Sequence, residues 1–299
     1  MVIYIKELDK NDRLDFLEKY PKFIHEFVIK FIEISNNILV KRIDEDKQIY
    51  ILPNINRKNV YKNIKKRIKK NTKKTKRKVE IVLSEKLHQY INEFDGLKII
   101  NGRKVYLEHL EEVLNKVLGE KPIEMQDIYI LSNSYNYINI NVINKLALKV
   151  KTINIVTKDI RNFSILENLL FEKGILITIT NNKKKSLKKA KLIVNLDFDN
   201  EQLRKYNVYR NACIINISEN VIKNLHGFEG MIVNNIDIKV PAEKYDFLNL
   251  NNLIVGFRKI ELYESLKTTN QNIEIDLLFG NNGKINEKER LNIQKILTK

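Results

Sequence analysis

DIYILSNSYNYINI (127–140) opens the most regular part of the chain. Its first five residues are apolar at nearly every position instead of alternating, the pattern of a short strand buried on both faces. A polar stretch follows, and a helical pattern is predicted near 138–150. The same unit recurs in TINIV (152–156), ILITI (175–179), KLIVN (191–195), ACIINI (212–217) and MIVNNIDI (231–238), with helical segments predicted near 162–173, 183–190, 200–206 and 219–225. Strands alternating with helices require crossover connections, which are right-handed and produce a parallel, doubly wound α/β sheet. The expected fold class is therefore α/β, with this sheet over 126–240 preceded by a smaller α+β region.

Working outward, residues 1–56 read as a small N-terminal module. It has a strand at 2–6, helical spacing over 10–35 interrupted by Pro21, and a hairpin over about 37–52. So small a module is marginal alone and is expected to pack on its neighbour. Residues 57–78 form a basic helix and linker, the best boundary in the chain. Residues 79–125 are an α/β segment with a strand VEIVL (79–83), a helix after Ser84, an Asn101-Gly102 turn and a helix carrying Leu107, Leu110, Val113, Leu114, Val117 and Leu118. Residues 241–299 are an α/β tail that packs back, with a helix at 257–268, a strand at 273–279, an Asn282-Gly283 turn and a last helix whose Asn286 and Glu289 make a capping-box start.

The 299 residues contain 43% apolar residues, enough for real cores. Lys and Arg number 54 against 37 Asp and Glu, a net charge of +17. The excess is local: RKNVYKNIKKRIKKNTKKTKRK (57–78) contains thirteen basic residues and no acid. Val60, Ile64 and Ile68 recur at i, i+4 and i+8 with Tyr61 beside them, which predicts a helix with a narrow apolar stripe. From Asn71 no apolar residue appears until Val79, which predicts a solvated linker. Lysine dominates the run, so its natural partner is a polyanion such as RNA or DNA, bound through phosphates without sequence reading, with Lys65, Lys66, Arg67, Lys69 and Lys70 as contacts. An anionic membrane surface and a merely solvated, composition-driven linker are the competing readings. A second cluster at Lys183, Lys184, Lys185, Lys188, Lys189 and Lys191 is available to extend the same surface.

The single cysteine, Cys213, excludes a disulfide framework and fits a reducing compartment. No apolar stretch approaches the length of a membrane span, and MVIYIKELDKNDR turns polar too soon for a signal peptide. A cytoplasmic location is expected.

The segments DIYILSNSYNYINI, TINIVTKD, KKAKLIVNLDFD and NACIINISE resemble the Rossmann-like NAD(P)-binding domain of the shikimate dehydrogenase and glutamyl-tRNA reductase group. The resemblance covers rather more than a third of the chain and implies NAD(P) as cofactor. It would put the phosphate loop at Ser132, Asn133 and Ser134, the ribose reader at Thr157, Lys158 and Asp159, and the nicotinamide near Asn195, within Asn195-Leu196-Asp197. This chain departs from the group where it matters most, because no glycine falls between Leu131 and Ile138. Glycines there permit a tight turn, close backbone approach to pyrophosphate and close helix–sheet packing. Two readings follow: loss of ordinary dinucleotide binding, or an altered anion site in which Ser and Asn donate to phosphate.

No catalytic constellation stands out. Cys213 lies in an apolar run and reads as a structural thiol. His25, His88, His109 and His226 lack metal-ligand spacing, and Glu108, Glu111 and Glu112 read as a solvated helix face. The function expected is a non-catalytic or regulatory nucleotide- or ligand-binding protein. The alternatives are an NAD(P)-dependent oxidoreductase with an atypical phosphate loop and a nucleic-acid-associated protein acting through 57–78.

Overall fold

A computed structural model describes residues 1–9, 12–13, 17–34, 38–223, 225–239, 256–266 and 273–298. The chain divides into two compact units, residues 1–102 with 240–271 and residues 103–239 with 272–299.

The first unit is built on a five-stranded sheet of β1 (Val2–Glu7), β2 (Leu39–Arg42), β3 (Lys47–Leu52), β4 (Glu80–Leu83) and β5 (Lys98–Ile99), in the order β2-β3-β1-β4-β5. Strand β1 runs parallel to both β3 and β4, with Val2 opposite Lys47 on one side and Glu80 on the other. The hairpin expected over 37–52 is the antiparallel β2–β3 pair. Within 10–35, helix α1 covers His25–Ile34 after a 3-10 turn at Lys22–Ile24, and part of the helical segment expected before Pro21 lies outside the described residues. Strand β1 thus takes partners from both sides of the lysine-rich run, so residues 1–56 share one sheet with β4 and β5.

That run is helix α2 (Lys58–Thr75): the helix with the Val60, Ile64 and Ile68 stripe is present, and it continues through 71–75 where a solvated linker was expected. Val60, Ile64 and Ile68 are at most 2% exposed and, with Tyr61, join Ile3, Ile5, Leu52, Ile81, Leu83, Leu87 and Phe94 in one core. Burying such side chains contributes roughly 1.5–3 kcal/mol each. Each like-charged lysine pair four residues apart costs only about 0.2–0.5 kcal/mol, so burial wins over repulsion. Beyond Ile68 the helix continues with polar contacts: the Thr72 hydroxyl donates to the Ile68 carbonyl (2.9 Å), Thr75 to Asn71 (2.9 Å), and the Asn71 amide to the Tyr50 hydroxyl (2.8 Å). The helix ends at Lys76, the one non-glycine residue with positive φ among the described residues. After Ser84 a 3-10 helix, Glu85–Phe94, replaces the expected α-helix and kinks at Tyr90.

The second unit contains the expected α/β sheet. Its strands are β6 (Asp127–Leu131), β7 (Thr152–Val156), β8 (Ile177–Thr180), β9 (Leu192–Asn195), β10 (Cys213–Asn216) and β11 (Met231–Val233). All pairs are parallel, in the order β8-β7-β6-β9-β10-β11. Counted from β6, this is 3-2-1-4-5-6, the order of a Rossmann-like sheet. Helix α3 (Arg103–Glu108) and helix α4 (Leu110–Leu118) split the expected helix over 107–118 at His109. Helices α5 (Tyr137–Ala147), α6 (Ile160–Phe171) and α7 (Asn200–Arg204) match three predicted segments.

Two predicted helices are absent among the described residues. Residues 183–189 form successive turns, because the Asn182 side chain takes the amides of Lys184 (3.1 Å) and Lys185 (3.0 Å). Between 219 and 223 the backbone is non-helical: the Asn234 side chain accepts from the Ile222 amide (2.9 Å) and donates to its carbonyl (3.0 Å). The run MIVNNIDI is likewise two strands. Its second half, β12 (Asn235–Lys239), leaves the parallel sheet and pairs antiparallel with β13 (Glu274–Gly280), which continues into β14 (Gly283–Lys284). The tail itself is shared between the units, helix Lys259–Ser265 in the first and β13, β14 and helix Glu287–Thr298 in the second. The Asn286–Glu289 capping box is present, with both bonds at 2.9 Å.

Candidate functional site

Strand β6 is the point from which the sheet order runs outward in both directions. In open α/β sheets the crevice at the carboxyl ends of the strands at such a switch point receives ligands. The loop after β6 and the loop after β9 therefore frame the candidate site, and both are defined by short polar side chains.

The β6–α5 loop makes its turn without glycine because it needs no left-handed residue: none of residues 132–136 has positive φ. Asn136 caps α5, its side-chain oxygen accepting from the Asn139 amide at 2.9 Å. Two further loop amides point to Asp197, which follows β9. Asn133 N–H donates to Oδ1 at 2.7 Å and Ser134 N–H donates to Oδ2 at 2.8 Å. The buried Asn139 side-chain amide donates to Asp197 Oδ2 at 3.1 Å and to Ser132 Oγ at 2.9 Å. Ser132 Oγ itself lies 3.4 Å from the carboxylate. A carboxylate with two backbone N–H donors beside a helix start is an anion in a nest of amides, the arrangement by which such loops hold phosphate. Here the anion comes from the chain.

The sequence-predicted residues fall around this centre. Ser132, Asn133 and Ser134 converge on Asp197. Asn133 also ties the next loop, its Oδ1 accepting from Lys158 N–H at 2.9 Å, while its Nδ2 is buried without a hydrogen-bond partner. Thr157 is buried and its hydroxyl accepts from the Asp159 amide at 3.0 Å. Asp159 caps α6, its Oδ1 accepting from the Asn162 backbone N–H at 3.4 Å while its Oδ2 accepts from the Asn162 side-chain amide at 2.7 Å. The Lys158 side chain is exposed.

Asn195 is fully buried at the end of β9. It closes a turn with Phe198, accepting from its amide and donating to its carbonyl at 2.9 Å each. It also starts a ladder: Asn195 donates to Asn216 at 2.8 Å, Asn216 to Asn234 at 2.8 Å, and Asn234 to Asn281 at 2.8 Å. This row of amides crosses the carboxyl ends of β9, β10 and β11 and fixes their loops. Arg103 approaches the same region, its Nη2 donating to the Leu196 carbonyl at 2.8 Å.

Asn139, Asn216 and Asn234 were missed in the sequence, and Asp197 was noted only within Asn195-Leu196-Asp197, beside the expected nicotinamide position. The available signal was an acid placed two residues past a strand end and facing a glycine-free loop. Cys213 lies buried on β10, where burial pushes its thiol up to about 12, leaving negligible thiolate at neutral pH. Among the described residues, no group of three His, Cys, Asp or Glu side chains is placed to hold a metal ion. In the first unit, Lys66, Arg67, Lys69 and Lys70 are exposed and Lys65 is half-buried; the second lysine cluster, Lys183 to Lys189, is exposed on the second unit.

The strand order and flanking helices define a Rossmann-like α/β unit. No family model matches the chain, and no curated protein does. Fifteen solved chains match it in structure search, among them L-tryptophan dehydrogenase from Nostoc punctiforme, which is 8% identical, covers 89% of this chain and 78% of its own, and superposes with a TM-score of 0.35. Among the described residues, no helix is long and apolar enough to cross a membrane.

Proposed function

We propose that this is a non-catalytic or regulatory ligand-binding protein built on a Rossmann-like scaffold whose dinucleotide phosphate position is filled by its own Asp197. The observation that supports this reading is the pair of short bonds from the Asn133 and Ser134 amides to Asp197. A pyrophosphate entering the same nest would meet a carboxylate 2.7–2.8 Å from those donors, and the two anions would repel in a half-buried setting. The buried thiol of Cys213 adds no nucleophile.

The experiment is a titration of NADH and NADPH by nicotinamide fluorescence, favoured by the absence of Trp. The expected result is no saturable binding up to millimolar cofactor for the native chain. Saturable micromolar binding with substrate-dependent oxidation would overturn the reading.

One observation favours a second reading, an oxidoreductase with an atypical phosphate loop: the unpartnered Asn133 Nδ2 is a buried donor at the carboxyl end of β6. That reading requires Ser134→Phe to weaken cofactor binding, and an unchanged affinity would count against it.

A further inference from the structure

We propose that the exposed face of α2 is a docking surface for a nucleic-acid phosphate backbone, bound through lysines and without base reading. The proposal is independent of the Asp197 site, which lies in the other unit.

The argument starts from what the helix has already committed. Val60, Tyr61, Ile64 and Ile68 are buried in the core of the first unit. The face left over is polar and cationic, with Lys62, Lys66, Lys69, Lys70 and Lys73 exposed and Lys65 half-buried. These residues follow one another at spacings of three and four, so they form a stripe along one side of the helix, about 16 Å long at 1.5 Å per residue.

Three other cations of the segment have partners. Arg77 pairs with Asp46, Arg57 donates to the Ile34 carbonyl at 2.5 Å, and the Arg67 guanidinium stacks 5.6 Å from the Tyr50 ring centre. Among the described residues, Lys62, Lys65, Lys66, Lys69, Lys70 and Lys73 have no ion-pair partner, and no acid occurs in 57–78. Six unneutralised ammonium groups on one rigid helix repel one another, and an extended row of phosphates relieves that repulsion by displacing counterions.

The partner class follows from the same burial. A helix that binds a bilayer surface needs apolar side chains free to enter the headgroup region. Every apolar residue of α2 faces inward, so α2 has charge and nothing to insert. The preponderance of lysine over arginine points to phosphate contact and away from bidentate base recognition.

The test is fluorescence anisotropy of the full chain with a labelled mixed-sequence duplex of about 20 base pairs, as DNA and as RNA, between roughly 50 and 200 mM KCl. Six contacts correspond to a slope of log K against log salt of about −5, and replacing Lys62, Lys66, Lys69 and Lys70 by Gln lowers it to about −2. Binding at low salt should fall at least tenfold in that variant, with the circular dichroism of the native fold retained. The same number of Lys→Gln changes at Lys183, Lys184, Lys185 and Lys188 should leave the slope unchanged. Absence of saturable binding to either duplex, equal losses in the two variants, or sedimentation with phosphatidylglycerol vesicles without duplex binding would each overturn the proposal.

Discussion

Removing the Asp197 carboxylate should have two effects that no ordinary surface substitution produces together. In Asp197→Ala the amides of Asn133 and Ser134 lose bonds of 2.7 and 2.8 Å, and the Asn139 side chain loses one of 3.1 Å. Hydrogen bonds to charged groups contribute about 1.5–3 kcal/mol each. Asp197 is only half-buried and water can replace part of what is lost, so the two backbone bonds at the low end give about 3 kcal/mol. For a chain of 299 residues, at about 2.1 cal/mol/K per residue, that lowers Tm by roughly 5 °C. The vacated nest should then accept an added anion. Acetate supplies the lost carboxylate, and pyrophosphate tests the proposed phosphate position directly. An anion present at about ten times its Kd restores about 1.4 kcal/mol, close to half the loss. The assay is calorimetric or near-ultraviolet dichroism melting of native and variant chains with chloride, acetate and pyrophosphate at matched ionic strength. The native chain should show no anion-specific gain. A variant that melts with the native protein, or anion stabilisation that is equal in both, would refute the reasoning.

The buried ion pairs at the end of β1 give a further expectation. Lys6 is 2% exposed and binds Asp9 and Asp12 at 2.8 Å each, with Asp12 3% exposed. Lys6→Met leaves the buried Asp12 carboxylate, among the described residues, with Lys41 at 3.3 Å and the Asp9 amide at 3.4 Å, and should cost about 3–5 kcal/mol, read from the urea midpoint. Burial pushes the Asp9 carboxyl up, but the bonds from Lys6 and from the Asp12 amide outweigh it and hold it below the usual carboxylate range. Its contribution is therefore complete above the unfolded value near ~4 and is lost as pH falls through the lower folded value, so the urea midpoint should drop below about pH 4 in the native chain and more weakly in Lys6→Met. Cys213 should resist a thiol reagent at neutral pH and react at once on unfolding, since its thiol is pushed up to about 12; fast reaction of the folded chain would contradict its placement. Gly230→Ala should destabilise the β10–β11 edge by more than 1 kcal/mol, because a Cβ there would sit 1.9 Å from the Ala212 carbonyl oxygen.

The parallel sheet was legible because strands buried on both faces leave continuous Ile and Val runs, and five of the six runs from Asp127 to Val233 stand where the pattern puts them with shifts of at most two residues. The sixth, MIVNNIDI, reads as one strand, yet Asn234 turns its side chain to Ile222 and Asn281 and lets the chain change partners. Helices at 183–190 and 219–225 failed for a related reason: Asn182 and Asn234 side chains take backbone groups that a helix would need. The lysine run misled in the other direction. Loss of apolar residues after Ile68 looked like loss of structure, whereas the backbone stays helical to Thr75 and Asn71 anchors it to the Tyr50 hydroxyl.

At the site, the missing glycines were evident, and so was the doubt they cast on phosphate binding. The acceptor of the loop amides was not, since Asp197 and the Asn133 amide are 64 residues apart and only the neighbouring positions of β6 and β9 bring them together.

The most direct measurement is hydrogen exchange at the Asn133 and Ser134 amides by nuclear magnetic resonance. Both should be protected in the native chain, well beyond an exposed loop, and should lose that protection in Asp197→Ala while the β6 amides keep theirs. Exchange of these two amides at unprotected rates in the native protein would contradict the claim that Asp197 fills the phosphate position.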